Sequence, residues 1–192
     1  MEPVAASAFL TASFESPAIE LDDFDAVVRR YWPAVFRFAL ASVRDRDSAQ
    51  TLTQDCFLHA WKGRGSFRGS CTVKTWVMRI AVNLVRDHAR NRRLRFWRRA
   101  TMEALDISAA GGWLPDASIS AERRMLIGEK VRAVWAASGS LPERQRTVFL
   151  LRFVEDMDLL DIAAATGLQE GTVKMHLFRA LQSVRERLGE AK

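Results

Sequence analysis

Apolar residues recur at intervals of three and four along most of this chain, the spacing of one face of an α-helix. The predicted helices cover residues 24–43, 47–61, 73–93, 121–137, 142–154, 159–165 and 170–188. No stretch of useful length alternates apolar and polar residues as a half-buried strand does. We therefore predict an all-α fold.

The helical pattern is interrupted once at length. Residues 98–119 lose the periodicity and contain two glycines and a proline. Because so long a loop is unusual inside one compact domain, it favours two small helical domains. We expect a flexible leader over 1–20, a first domain over 21–97, a linker over 98–119 and a second domain over 120–192.

Local signals mark the helix starts in the first domain. Asp22 and Asp23 are candidate N-caps for the first helix, and Asp47 with Gln50 resembles a capping box for the second. Pro33 lies inside the first helix, where its ring is expected to kink the helix or split it in two.

Composition excludes several classes of protein. Hydrophobic residues make up 48% of the 192 residues, which excludes a disordered chain. No apolar run approaches the roughly 18 residues that a membrane span requires. The first twenty residues carry three glutamates and no basic residue, unlike a signal peptide. We expect a cytoplasmic protein without membrane insertion.

Positive charge is concentrated in one segment. The net charge is +6, and residues 62–99 hold twelve lysines and arginines but only one acid, Asp87. The interleaved aromatic residues are Phe67, Trp76, Phe96 and Trp97. Arginine neutralises phosphates and aromatic rings stack on exposed bases. The segment predicts a surface for single-stranded DNA, and the alternative is a solvated basic helix end.

Residues 160–174 have the spacing of a helix-turn-helix. Ala163 is small where two helices must cross, and Gly167 can adopt the positive φ that the turn requires. The expected small core between the helices consists of Ile162, Leu168 and Val173. A purely structural helical hairpin is the alternative.

No pattern indicates catalysis. His59, His88 and His176 are far apart, and neither Cys56 nor Cys71 has the close ligands of a zinc site. The chain also lacks a glycine-rich phosphate cradle and clustered carboxylates. We expect no enzyme activity, no metal and no cofactor. For the two cysteines we expect reduced thiols, with a redox switch as the alternative.

Two blocks of motifs together resemble the extracytoplasmic-function (ECF) sigma factors of the sigma-70 family. The first block comprises residues 52–61, 67–69 and 75–83, and is similar to sigma region two. The second block comprises residues 141–152, 162–163 and 171–174, and is similar to sigma region four. The blocks occur in the family's order and cover most of the chain.

This resemblance implies a function and partners. It implies a factor that binds the RNA polymerase core enzyme, recognises the minus-thirty-five and minus-ten promoter elements, and promotes DNA melting at transcription initiation. Its partners are then core polymerase, promoter DNA and an anti-sigma factor, which commonly holds members of this family inactive.

The resemblance also implies the residues of each site. Core polymerase is expected to contact Leu52, Gln54, Asp55 and Phe57. The minus-ten element is expected to contact Phe67, Arg79, Ile80, Asn83, Arg86 and Arg90. The minus-thirty-five element is expected to contact Thr172, Lys174, Met175, His176, Phe178 and Arg179.

Two other functions remain open from the sequence. A conventional helix-turn-helix repressor or activator would bind a palindrome as a dimer and would not need the aromatic and basic segment. An anti-termination or RNA-binding protein would use that segment but leave the second motif block unexplained.

Overall fold

The structure is a computed structural model that describes residues 21–99 and 134–190, with side chains for 21–91 and 134–189. The expected leader, the linker beyond residue 99 and residues 121–133 lie outside the described residues. In the first part of the chain the helices are α1 (Phe24–Val43), α2 (Arg46–Gly63), a single 3-10 turn (Arg64–Ser66) and α3 (Val73–Arg99). In the second part they are a helical segment at 134–139, then α4 (Glu143–Phe153), α5 (Leu159–Thr166) and α6 (Glu170–Glu190). The described residues contain no strand, which confirms the predicted all-α fold.

The start of α1 agrees with its predicted cap, but its proline behaves differently. The Asp23 carboxylate accepts a hydrogen bond from the Ala26 N–H at 2.9 Å. The expected split at Pro33 is wrong, because α1 is continuous from Phe24 to Val43, whereas the expected kink there stays a prediction. A proline inside a helix costs about 3 kcal/mol. Buried apolar residues both before and after Pro33 pack against the core and hold the helix together.

The predicted capping box of α2 is also wrong. Asp45, not Asp47, caps this helix, accepting a hydrogen bond from the Ser48 N–H at 2.8 Å. Arg44 ends α1 in the left-handed conformation with φ 59°. This tight reversal allows α2 to begin at Arg46, so Asp47 lies in its first turn.

Helices α1, α2 and α3 pack together as the first domain. Its fully buried residues include Val35 and Phe38 of α1, Cys56 of α2 and Val77 of α3. Helix α3 continues to Arg99, beyond the expected end at residue 93 and past the expected start of the linker at residue 98.

Helices α4, α5 and α6 form the second domain around the predicted helix-turn-helix. Ile162 and Val173 are fully buried between α5 and α6, as predicted. Gly167 has φ 71° and its N–H donates to the Ala163 carbonyl at 2.9 Å, which ends α5. The glycine therefore supplies the turn between the two helices.

The two domains are packed against each other. Helix α5 contacts α3, and α4 contacts α1. The buried apolar residues of both domains belong to one continuous cluster. The helix-turn-helix thus lies against the helix that carries the basic segment.

Candidate nucleic-acid interface

One face of α3 gathers most of the residues expected at the minus-ten element. Arg79, Asn83, Arg86 and Arg90 follow a spacing of four, three and four, which places them on the same side of the helix. The Arg86 guanidinium donates to the Asn83 side-chain oxygen at 2.8 Å. All three arginines are exposed. We call these four residues the cationic face; Ile80, half-buried, lies beside it.

The aromatic side chain expected at this element lies near the start of the same helix. The ring of Phe67 packs on the ring of Trp76, with 5.1 Å between centroids. This contact holds the loop that follows α2 against α3 and leaves Phe67 half-buried. The structure therefore places an aromatic ring at one end of the cationic face.

Helix α6 presents a different kind of surface. Val173, Ala180 and Val184 face the core, as the helical spacing requires. Met175 and Phe178 point outward, 41% and 69% exposed. The flanking cations are Lys174 and Arg179, both exposed, while Thr172 and His176 are half-buried. All six residues expected at the minus-thirty-five element lie on α6. Four of them are exposed, the two cations and the two apolar side chains.

Neighbouring charges affect two of the residues of α6, Lys174 and His176. Lys174 forms an ion pair with Glu170 one turn earlier. Burial lowers the pKa of His176, and the nearby charges of Arg144 and Arg179 lower it further. Its Nδ1 atom is buried and makes no hydrogen bond. The imidazole is therefore neutral at pH 7.

The residues expected to dock on polymerase divide between core and surface. Leu52 and Phe57 are buried within the first domain, whereas Gln54 is exposed and Asp55 is half-buried. Two apolar side chains of α2 that were not among the expected residues, Leu58 and Trp61, are 49% and 45% exposed. They lie four and seven residues after Gln54, so the helical repeat places them on its face. This spacing was the signal available in the sequence.

Packing fixes the exposed tryptophan of this face. The Trp61 ring lies edge-on to Phe24, with centroids 5.1 Å apart. The guanidinium of Arg64 lies 3.4 Å from the centre of the Trp61 indole. Leu58 and Trp61, with Gln54 and Asp55, form a surface we call the α2 face.

The two cysteines differ in environment. Cys56 is buried in the first domain, and burial raises its pKa to about 12. Cys71 is half-buried before α3, and both burial and the charge of Asp161 raise its pKa.

Within the described residues, no three or more His, Cys, Asp or Glu side chains are grouped as a metal site. None of the helices in this part of the chain is both long and apolar enough to cross a membrane.

Comparison with known proteins gives the same two-part division. The family model "Sigma-70 region 2" matches residues 27–95, and "Sigma-70, region 4" matches residues 132–184. The RNA polymerase sigma-H factor of Pseudomonas aeruginosa is 33% identical over 84% of this chain and 83% of its own length. The ECF RNA polymerase sigma-E factor of Escherichia coli is 31% identical over 84% of each chain.

A solved structure has the same fold over most of its length. The sigma factor RpoE of Bartonella quintana, crystallised with the anti-sigma factor NepR, superposes with a TM-score of 0.70 at 22% identity. The alignment covers 88% of this chain and 98% of that one. The two matched regions and the identities to these relatives place the chain in the ECF group of the sigma-70 family of RNA polymerase sigma factors.

Proposed function

We propose that this chain directs core RNA polymerase to promoters through three separate surfaces. The α2 face binds the core enzyme, α6 reads the minus-thirty-five duplex, and the cationic face of α3 holds the unpaired strand of the minus-ten element. The chain itself carries out no covalent chemistry. It acts in the cytoplasm, where core polymerase works, and an anti-sigma factor controls it.

The observation that carries this proposal is the alignment of Arg79, Asn83, Arg86 and Arg90 on one exposed side of α3. A row of cations at helical spacing can follow a phosphate backbone. The Asn83 amide, next to these arginines, can donate to and accept from the edge of a base. Phe67 at the end of the row offers a ring for a base that has left the stack. Such a pocket offsets the few kcal/mol that base flipping costs.

Helix α6 suits the major groove of a duplex. Lys174 and Arg179 can reach phosphates or guanine, and the exposed Met175 and Phe178 can contact thymine methyl groups. The neighbouring Arg144 adds positive potential. We infer that promoter sequence is read by these side chains.

Run-off transcription with purified core polymerase and a promoter library tests the proposal. We expect transcripts only when the protein is added. Substituting Arg79→Ala with Asn83→Ala should lower open-complex formation by about thirtyfold or more, since each of the two lost contacts is worth about 1–3 kcal/mol. Duplex binding through α6 should persist in that variant and serves as its control.

The α2 face needs its own test. Leu58→Asp places a charge on an exposed apolar position and should abolish binding to core polymerase while leaving DNA binding intact. If no transcript appears and core is not bound, while duplex binding remains, the chain is an ordinary DNA-binding regulator. Preferential binding of RNA would instead support an RNA-binding protein.

A further inference from the structure

A single acid lies at the start of the recognition helix. Glu170 is the first residue of α6, and it is the one acidic residue between positions 162 and 183. Its carboxylate lies 2.5 Å from the ammonium of Lys174, one helical turn further on. The duplex contacts proposed above for α6 use Lys174 but not Glu170. A negative charge thus stands among the side chains proposed to approach phosphates and bases.

The ion pair is exposed and adds little to folding stability. The Lys174 side chain is 58% exposed and the Glu170 side chain is 41% exposed. Exposed pairs at this spacing contribute little, because water screens both charges. An acid in the first turn also interacts favourably with the helix dipole, and either aspartate or glutamate can do this. Both head groups keep enough free surface to contact a partner from outside the chain.

Glu170 shares one side of α6 with two side chains expected at the minus-thirty-five element. Lys174 and Phe178 follow it at intervals of four residues. The buried Val173 and Ala180 lie towards the core, whereas Phe178 is 69% exposed. In a helix-turn-helix, the N-terminal residues of the second helix contact the base edges of the major groove. The first and fifth residues of α6 are therefore placed to meet neighbouring base atoms.

The paired head groups match a G·C base pair. In the major groove guanine presents two acceptors, N7 and O6, and the cytosine beside it presents its N4 amino donor. The ammonium of Lys174 can donate to the guanine, and the carboxylate of Glu170 can accept from the cytosine. At a T·A pair the ammonium meets a methyl group beside one acceptor. Adenine N7, another acceptor, then lies beside the amino group that the carboxylate needs.

We propose that Glu170 is a further specificity-determining residue, which reads a cytosine of the minus-thirty-five duplex while Lys174 reads the guanine paired with it. The carboxylate also discriminates against guanine and thymine at that position, because both present acceptors there. This inference rests on the duplex-reading role proposed above for α6. It deepens that role by assigning one more residue and one base pair.

Three substitutions separate base reading from charge and folding. Glu170→Gln keeps the size of the side chain, but its amide can bind adenine N6 and N7. Glu170→Asp keeps the charge at the helix start, but its carboxylate is one methylene group shorter. Glu186→Gln is the matched control, because it removes the same charge from an exposed residue of α6 that lies about 24 Å further along the helix.

Selection from a duplex library measures the base preferences. The full chain, alone and bound to core polymerase, enriches duplexes with a randomised central segment, and the bound DNA is sequenced. The wild type should favour cytosine over adenine at one position by about tenfold. Both Glu170 variants should reduce this preference to about twofold or less, whereas Glu186→Gln should retain it. Affinity for mixed-sequence duplex should not fall in Glu170→Gln, because the substitution removes a negative charge from a surface that approaches phosphates.

The base preferences decide between reading and folding. A cytosine preference that falls at the same position in both Glu170 variants, with mixed-sequence affinity retained, supports the assignment. An unchanged preference in either variant, or an equal loss in Glu186→Gln, overturns it. A wild type that selects no sequence overturns it too, because no base is then read. So does a loss of affinity for every duplex with a lower melting temperature by circular dichroism, which would make Glu170 a folding residue.

The selection with the chain alone contains no polymerase. Its result is therefore separable from a failure of run-off transcription, which tests the proposed function.

Discussion

At the scale of single residues, the fold shifts the pKa values of two side chains, Glu155 and His176. Burial raises the pKa of Glu155, against the opposing influence of Arg37 and Lys74. Burial and two neighbouring arginines lower the pKa of His176. The first residue lies where the domains meet and the second on the helix assigned to duplex binding. Their charge states therefore depend on whether the domains and DNA are in contact.

His176 gives a prediction about pH. Its folded pKa lies below the ordinary 6.5, so the free protein carries a neutral imidazole at pH 7. Phosphates near α6 favour the cation, so binding takes up a proton as the pH falls below about 6.5. We expect duplex affinity to be flat from pH 8 to 7 and to rise below that range, measured by fluorescence anisotropy.

The histidine controls are available in the chain itself. His176→Gln should flatten the profile, whereas His59→Gln, at an exposed position of α2, should leave it unchanged. His176 also makes the free energy of unfolding depend on pH, because its pKa is higher in the unfolded chain than in the folded one. Its contribution to stability is therefore present above pH 6.5 and is lost as the pH falls through the folded pKa. An unchanged profile in His176→Gln would contradict the assignment.

At the scale of elements, the helix-turn-helix depends on a single backbone conformation. Gly167 has φ 71°, and a Cβ there would meet nothing within 4 Å, so sterics with other residues do not limit substitution. Only the backbone conformation penalises a side chain, by about 1–2 kcal/mol. Gly167→Ala should therefore lower the free energy of unfolding by that amount, as measured by urea denaturation.

Gly171 is the matched control for this change. It also has open space around its Cβ position but lies inside α6 with a helical backbone. Gly171→Ala should be neutral or raise stability by up to about 1 kcal/mol, because alanine favours the helix. If both substitutions lowered the free energy of unfolding equally, the space around each glycine, and not the φ of Gly167, would explain the loss.

The sequence predicted the presence of the helices more accurately than the residues at which they begin. Helical spacing and Gly167 were enough to predict the helices of the described residues and the turn between α5 and α6, because both signals are local. The α2 cap could not be read in the same way, since it depends on Arg44 adopting φ 59°. Pro33 stays within α1 because tertiary packing outweighs its local cost.

The candidate sites were predictable to different degrees. The residues of the cationic face of α3 were expected because of the resemblance to sigma region two, whereas the exposed residues of α6 follow from helical spacing. Leu58 and Trp61 were missed because nothing in their residue type separates a surface apolar side chain from a core one. The Arg37–Glu155 pair joins positions 118 residues apart, and no local pattern indicates such a contact.

At the scale of the whole molecule, the two domains share one hydrophobic cluster. Buried residues from α1 to α6 are continuous through the contact of α3 with α5. Domains that share a core lose packing together when either unfolds, so unfolding is cooperative. The chain should behave as a single thermodynamic unit, although the DNA surfaces proposed for it belong to different domains.

Calorimetry of the full chain tests whether the two domains unfold as one cooperative unit. The wild-type protein should unfold in one transition, with calorimetric and van't Hoff enthalpies that agree. Glu155→Gln and Arg37→Gln should lower the midpoint of that transition, because each breaks the buried ion pair between the domains. The transition should stay single, because the apolar cluster still joins the domains. Asp156→Asn should leave the midpoint unchanged, because its side chain is exposed. Two transitions already present in the wild type would show that the shared cluster does not couple the domains, whereas a transition that splits only in Glu155→Gln and Arg37→Gln would place the coupling in the buried ion pair.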